Sequence, residues 1–150
     1  MDVEWNLDPN RREPKVVILS REATPELEEL VRLLAGLSLG PLTVWRGDQA
    51  DVVEQREFLR FYTDGRGVSA QTASKTYTVR LRLYELEERL DKRRFVRISN
   101  SEIVNLDYVT ALDLSLTGTI RMTLNHSVNT YVSRRYVKRI KEALGLRKER

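Results

Sequence analysis

Two stretches of this chain carry side chains suited to gripping a polyanion. Arg94 to Val109, RFVRISNSEIVNLDYV, has the look of strand with small polar residues in its middle. Tyr131 to Leu146, YVSRRYVKRIKEALGL, opens a helix with two arginines directly after a serine. Ser133 is placed to cap that helix, which puts Arg134 and Arg135 in its first turn. The helix dipole disfavours cations there, whereas the unpaired backbone N–H groups attract an anion. Arginine beside a helix N-terminus therefore suits a phosphate, or a fork aimed at guanine. Arg97, Ser99, Asn100 and Ser101 fall between two strand-like runs. Asparagine can bond adenine through both amide atoms, and serine can donate to phosphate. Asp64-Gly65-Arg66-Gly67 is a loop whose glycines let the backbone approach a ligand closely. Taken singly, each of these features also fits a plain polar turn or a solvated helix face.

Composition narrows the field. At 150 residues the chain is one domain, or one domain with a small addition. Residues 1–46 hold 6 Lys/Arg against 8 Asp/Glu, and residues 47–150 hold 20 against 14. A basic C-terminal part on an acidic N-terminal piece points to the C-terminal part as the polyanion-facing one. There is no cysteine, so no disulfide, thiolate metal site or cysteine nucleophile is expected. The single histidine, His126, falls at a hairpin turn, and any histidine-based triad would have to use it. No P-loop or dinucleotide fingerprint is present. A non-enzymatic protein without cofactor, metal or small-molecule substrate is expected. No apolar run approaches the roughly 20 residues that span a bilayer, and the acidic start MDVEWNLD has no signal-peptide core. The expected compartment is the cytoplasm, without membrane insertion.

The elements that must hold these groups follow from pattern. Val3 to Leu7 and Lys15 to Ser20 are expected as two short strands. Thr24-Pro25-Glu26-Leu27 starts a helix with Leu27, Leu30, Val31 and Leu34 on one face, stopped by Gly36 and Gly40-Pro41. Short strands are then expected at Leu42 to Arg46, Phe58 to Thr63, Val68 to Thr72 and Thr76 to Leu81. A short helix follows over Leu83 to Leu90. Further strands are expected at Phe95 to Ile98, Ile103 to Leu106, Val109 to Leu116, Thr119 to Leu124 and Val128 to Val132. Arg134 to Leu144 closes as a helix with Val137, Ile140 and Leu144 inward and Gly145 as its C-cap, and the tail Arg147 to Arg150 is expected to fray.

With those elements in order, the span from about Arg46 to Leu146 resembles a LytTR-type DNA-binding domain. The carrying motifs are FLRFYTDGRG, VRLRLYELEERL, RFVRISNSEIVNL and VSRRYVKRIKEALGL. The whole layout is similar to small stand-alone bacterial LytTR transcriptional regulators, with a short N-terminal segment in place of a phosphorylated receiver domain. The resemblance implies an α+β, β-dominated fold: short antiparallel strands, a short middle helix and a C-terminal helix, preceded by a strand-strand-helix unit. Residues 1–45 would form that extension and residues 46–150 the DNA-binding domain; because its Leu27, Leu30, Val31 and Leu34 stripe needs a surface, the extension is expected to serve dimerisation or a partner contact. The resemblance further implies sequence-specific binding of double-stranded DNA, with loops in successive major grooves; a homodimer is expected from the unpartnered stripe of the extension. Arg66, Asn100 and Arg135 fall at base-contacting positions. Arg97, Ser99, Ser101, Ser133, Arg134 and Lys138 fall at phosphate-contacting ones. The chain departs from the common pattern at Tyr62, where many members carry glutamate, and at Ser99 and Asn100, where many carry histidine and a basic residue. The alternative is an interaction module whose basic face binds an acidic protein.

Overall fold

A computed structural model describes residues 1–12, 14–35 and 40–146. Gly36, expected to stop the first helix, and Arg147 to Arg150, expected to fray, lie outside the described residues. The chain divides into two units, Met1–Ala35 and residues 36–150.

In the first unit, α1 spans Pro25–Ala35. Thr24 begins it: its Oγ1 accepts the Leu27 N–H at 3.2 Å and its carbonyl accepts the Glu28 N–H at 2.9 Å. Glu26 and Glu28 in the first turn and Arg32 in the last complement the dipole. The two strands expected over Val3 to Leu7 and Lys15 to Ser20 do not form. Val3, Trp5, Leu7, Val16, Val17 and Leu19 are exposed instead. A lone pair of short strands is marginal in water unless a third strand or a helix covers its apolar face.

Among the described residues, the second unit holds ten antiparallel strands. They are β1 (Leu42–Arg46), β2 (Gln49–Val53), β3 (Phe58–Thr63), β4 (Val68–Thr72), β5 (Thr76–Val79), β6 (Phe95–Ser99), β7 (Glu102–Asn105), β8 (Val109–Asp113), β9 (Ile120–Leu124) and β10 (Val128–Val132). Seven form one sheet in the order β2-β1-β5-β4-β3-β7-β6, and the last three form a second, β10-β9-β8. Two helices accompany them, α2 (Leu83–Arg89) and α3 (Val137–Ala143). Of these elements β2 is absent from the sequence expectation. Its residues Gln49, Ala50 and Asp51 are poor strand formers, and it lies at the sheet edge, with Val53 packed against the core. It returns from β1 through the two-residue turn Gly47-Asp48, with Gly47 at φ 59°. Gln49 donates to Asp51 at 2.8 Å and, aided by Arg46, holds that carboxyl below the usual carboxylate range.

The large sheet separates two cores. On one face Phe58, Phe61, Phe95 and Ile103 pack with Leu83, Leu86 and Leu90, the α2 stripe expected from spacing. On the other, Leu59, Ile98 and Val104 pack with Ile120, Met122, Leu124 and Val132 of the small sheet and Ile140 of α3. A register shift between Phe58 and Arg60 lets Phe58 and Phe61 share a face while Leu59 takes the other. All four residues of β7 are buried. Two of them are polar, and both are satisfied. Asn105 donates to the Phe58 carbonyl at 2.9 Å and accepts from the Asp107 N–H at 3.0 Å. Glu102 accepts from the Thr130 hydroxyl of β10 at 2.7 Å and pairs with Arg60 of β3 at 3.3 Å. One carboxylate thus ties the small sheet to the large one.

The last helix is shorter than expected. Arg134–Tyr136 is a 3-10 turn, and the α-helix starts only at Val137. Its end is as expected: Gly145, at φ 70°, donates to the Glu142 carbonyl at 3.1 Å and Leu146 to Lys141 at 2.7 Å, the paired bonds of a Schellman stop.

Because Glu102 joins the sheets from a buried position, Glu102→Ala is expected to lower stability by about 1.5–3 kcal/mol, the range for hydrogen bonds to charged groups. Thr130→Ala should cost less, and the double variant should cost less than the sum. Urea unfolding of the three variants measures this coupling; strict additivity would show that the contact joins nothing.

Candidate nucleic-acid interface

The three segments expected to touch DNA lie at one end of the large sheet. Thr63 pairs with Val68 across the β3–β4 loop, and Tyr62 pairs with Glu102 at the start of β7. The Asp64–Gly67 loop and the Ser99–Ser101 turn therefore leave the sheet side by side. Thr63 N–H donates to the Ser101 carbonyl at 2.9 Å and closes the gap. On the other flank, Ser133 N–H donates to the Ile98 carbonyl at 2.9 Å, which docks the start of the 3-10 turn onto the end of β6. The Tyr136 hydroxyl stands 3.4 Å from Asn100 Oδ1, long for a hydroxyl donor but enough to set the amide beside that turn. Arg66, Asn100 and Arg135 are all exposed along this edge.

Local chemistry shapes each segment. In the β3–β4 loop Asp64 Oδ1 accepts the Arg66 N–H at 3.1 Å and Thr63 Oγ1 accepts the Gly65 N–H at 3.3 Å. Gly65 at φ 94° and Gly67 at φ 157° take backbone angles that other residues avoid. In the β6–β7 turn the Ser99 hydroxyl accepts the Ser101 N–H at 3.1 Å and lies 3.2 Å from the Ser101 hydroxyl. The two serines thus shape the turn, and each hydroxyl keeps capacity for a ligand.

Arg97 has other work. Only 14% of its side chain is exposed. Its Nε donates to the Ser99 carbonyl at 2.7 Å, one terminal nitrogen donates to the Asn100 carbonyl at 2.6 Å, and the other pairs with Glu87 of α2. The guanidinium clamps the turn that presents Asn100, with α2 as its anchor.

The expected side-chain cap by Ser133 is absent: its backbone carbonyl accepts the Tyr136 N–H at 2.9 Å, and its hydroxyl makes no cap bond. The reason is the tight 3-10 turn, which closes through the backbone alone. Arg134 and Arg135 accordingly sit on that turn rather than in the first turn of an α-helix, and the dipole argument for an anion does not apply to them. Arg134 instead lies over the β8–β9 loop. Gly118 takes φ 76°, an angle that favours glycine, and a Cβ there would stand 2.9 Å from Nε of the exposed, flexible Arg134 side chain. Lys138 is exposed on α3, away from buried Ile140.

Sequence reasoning does not single out Tyr136 or Gly118. Tyr136 had a signal in hindsight, as an amphipathic residue directly following two arginines where an apolar face begins. Gly118 had none beyond its turn.

This architecture is that of the LytTr DNA-binding domain, whose family model matches residues 50–145, and the chain belongs to that family. It is similar over nearly its whole length to a protein of Staphylococcus aureus strain NCTC 8325 described as an uncharacterised HTH-type transcriptional regulator. The two are 33% identical over 147 residues, 97% of this chain and 99% of that one. A protein of the same description from strain MSSA476 is 42% identical over 95 residues, 63% of this chain and 64% of its own. Among solved structures, the LytTr DNA-binding domain of a Bacillus cereus response regulator superposes with a TM-score of 0.67 at 22% identity. It covers 71% of this chain and 97% of its own. No two helices among the described residues are joined as a helix-turn-helix; strands intervene between each pair.

If Arg97 clamps the turn, Arg97→Met is expected to lower affinity for a preferred duplex by about 1–3 kcal/mol without changing the salt dependence of binding. A slope of log K against log salt smaller by about 0.9 would show a direct phosphate contact instead.

Proposed function

We propose that the protein is a cytoplasmic, non-enzymatic transcriptional regulator that binds duplex DNA sequence-specifically through the edge described above. The observation that carries this reading is the junction of three exposed contact segments at one sheet end, held by Thr63–Ser101 and Ser133–Ile98 backbone bonds. Arg66, Asn100 and Arg135 read bases. Ser99, Ser101, Ser133, Arg134 and Lys138 hold phosphates, and Arg97 positions Asn100. Asn100 suits its part because an oxygen beside the Tyr136 hydroxyl still has a second lone pair, and its Nδ2 is a donor; together they match the adenine edge. Arg135 and Arg66 are the groups able to fork onto guanine.

The first unit supports a homodimer in this reading. α1 buries none of its residues, and Val31 and Leu33 are more than half exposed. Removal of residues 1–35 is expected to turn a dimer into a monomer in sedimentation equilibrium, and an unchanged mass would sink that part of the proposal.

Selection from random duplex DNA near physiological salt is expected to enrich one short repeated site. Arg135→Ala should then cost about 1–3 kcal/mol on that site and relax preference at one position. Lys138→Ala should weaken binding to all sequences alike and reduce the salt slope by about 0.9. Failure to enrich any sequence, with tight binding to an acidic protein, would favour the interaction-module alternative.

A further inference from the structure

Arg80 and Trp45 form a pair that the contact set above does not use. The Arg80 guanidinium carbon lies 3.4 Å from the centre of the Trp45 ring, a full face-on stack. Trp45 is half-buried on β1 and Arg80, one residue past β5, is exposed. Arg46, Arg60, Arg94 and Arg97 each have a carboxylate partner. Arg80 has none among the described residues.

The sheet register says where this cation points. Val79 pairs with Val68, and Val68 pairs with Thr63, so Arg80 leaves the sheet at the same end as the Asp64–Gly67 loop. Trp45 pairs with Thr78, Thr78 with Ser69, Ser69 with Tyr62, and Tyr62 with Glu102. Directly paired residues share a face, so Trp45 lies on the face of Glu102, where the small sheet sits. Arg80 therefore belongs to the same end and the same face as the proposed reading edge. Adjacent strands are about 4.8 Å apart, which puts Arg80 on the order of 10 Å across the sheet from β3. That reach spans only a few nucleotides at the roughly 3.4 Å axial spacing of one DNA strand.

We infer that the DNA-contacting edge continues past Arg66 to Arg80, whose guanidinium, held flat on Trp45, takes a backbone phosphate flanking the recognised site. The inference rests on the duplex-binding reading above. Stacking leaves the edge of the guanidinium, with its N–H groups, free for a phosphate while restricting the side chain before contact. An unpaired, exposed arginine held in this way is ordered for a partner that is absent from the chain itself. The nearby Arg82 is also exposed and adds to the positive field. Its N–H is taken by the Glu85 carboxylate at 3.2 Å, which fixes the start of α2 and leaves the Arg82 side chain outside.

The test compares Arg80→Gln, Arg80→Lys and Arg135→Ala in the full chain. The probes are the duplex enriched by selection and a duplex of random sequence. Arg80→Gln is expected to reduce the salt slope by about 0.9 on both probes, to lower affinity several-fold on both, and to remove one flank of the phosphate-ethylation footprint. Arg80→Lys, which keeps the charge but not the planar stack, should restore the slope and only part of the affinity. A wild-type slope and footprint in Arg80→Gln, with Arg135→Ala still impaired on the enriched duplex, would overturn the inference and leave the duplex-binding reading standing. Wild-type behaviour of Arg135→Ala as well would bring both down.

Discussion

The arrangement depends on one strand and one carboxylate. β7 is buried on both faces because the α2 core lies on one side of it and the small sheet on the other. A strand so placed would ordinarily be apolar throughout. Here its first residue is Glu102, and a buried charge is tolerable only where it is paired and hydrogen-bonded. Arg60 from the large sheet and Thr130 from the small one meet that requirement together. The pairing does more than neutralise: Arg60 is itself fixed by Gln71 of β4 at 2.7 Å and lies over the Tyr62 ring at 4.4 Å. Four strands of two sheets are thereby brought into one polar network at the end of the molecule where the exposed turns emerge. An apolar residue at 102 could pack, but it could not specify which residue of β10 stands opposite it.

That frame explains how short turns can act as a recognition surface. Side chains on loops lose entropy on binding unless the loop is already ordered. Each of the three segments proposed to meet DNA is ordered from within. Asp64 and Thr63 shape the first, Ser99 and Arg97 the second, and Ser133 the third, through its backbone. Arg97 shows that charge alone is a poor guide to contact. It is a cation in a segment expected to meet phosphate, yet three of its five N–H groups go to two carbonyls and Glu87. Its neighbour across the edge, Arg135, has no such partner among the described residues and is exposed.

Much of this was legible in the sequence because the relevant signals are local. Leu83, Leu86 and Leu90 recur at helical spacing and are buried as a set. Thr24 followed by Pro25 marks a helix start that forms as expected, and Gly145 marks a stop. Nine of the ten strands coincide with apolar alternation between turn residues, although β8 ends at Asp113 rather than Leu116. What failed was what depends on distant partners. Val16-Val17-Ile18-Leu19 has the composition of a buried strand but forms none. β2 has weak composition and forms because β1 offers it an edge. The 3-10 turn at Arg134 could not be told from a helix start, since serine before two arginines suits both. Within the site, the residue types were readable and their commitments were not: no local pattern discloses that Glu87 waits for Arg97, or that Arg134 lies over Gly118.

The lack of a recognition helix among the described residues follows from the same geometry. α3 spends Ile140 on the core, with Val137 and Leu144 half-buried beside it, and at seven residues it is too short to lie along a groove and still pack. Its preceding 3-10 turn reaches outward instead, in line with two turns of the sheet. Contacts drawn from three separate connections are spaced by strand separation, not by helical pitch. A sheet edge of this kind can thus follow the backbone of a duplex over several nucleotides with single side chains. Any further strand end on the same side and face is a position from which the contact can lengthen. Growth of the surface needs no new element, only a cation at the next strand end and something flat to hold it.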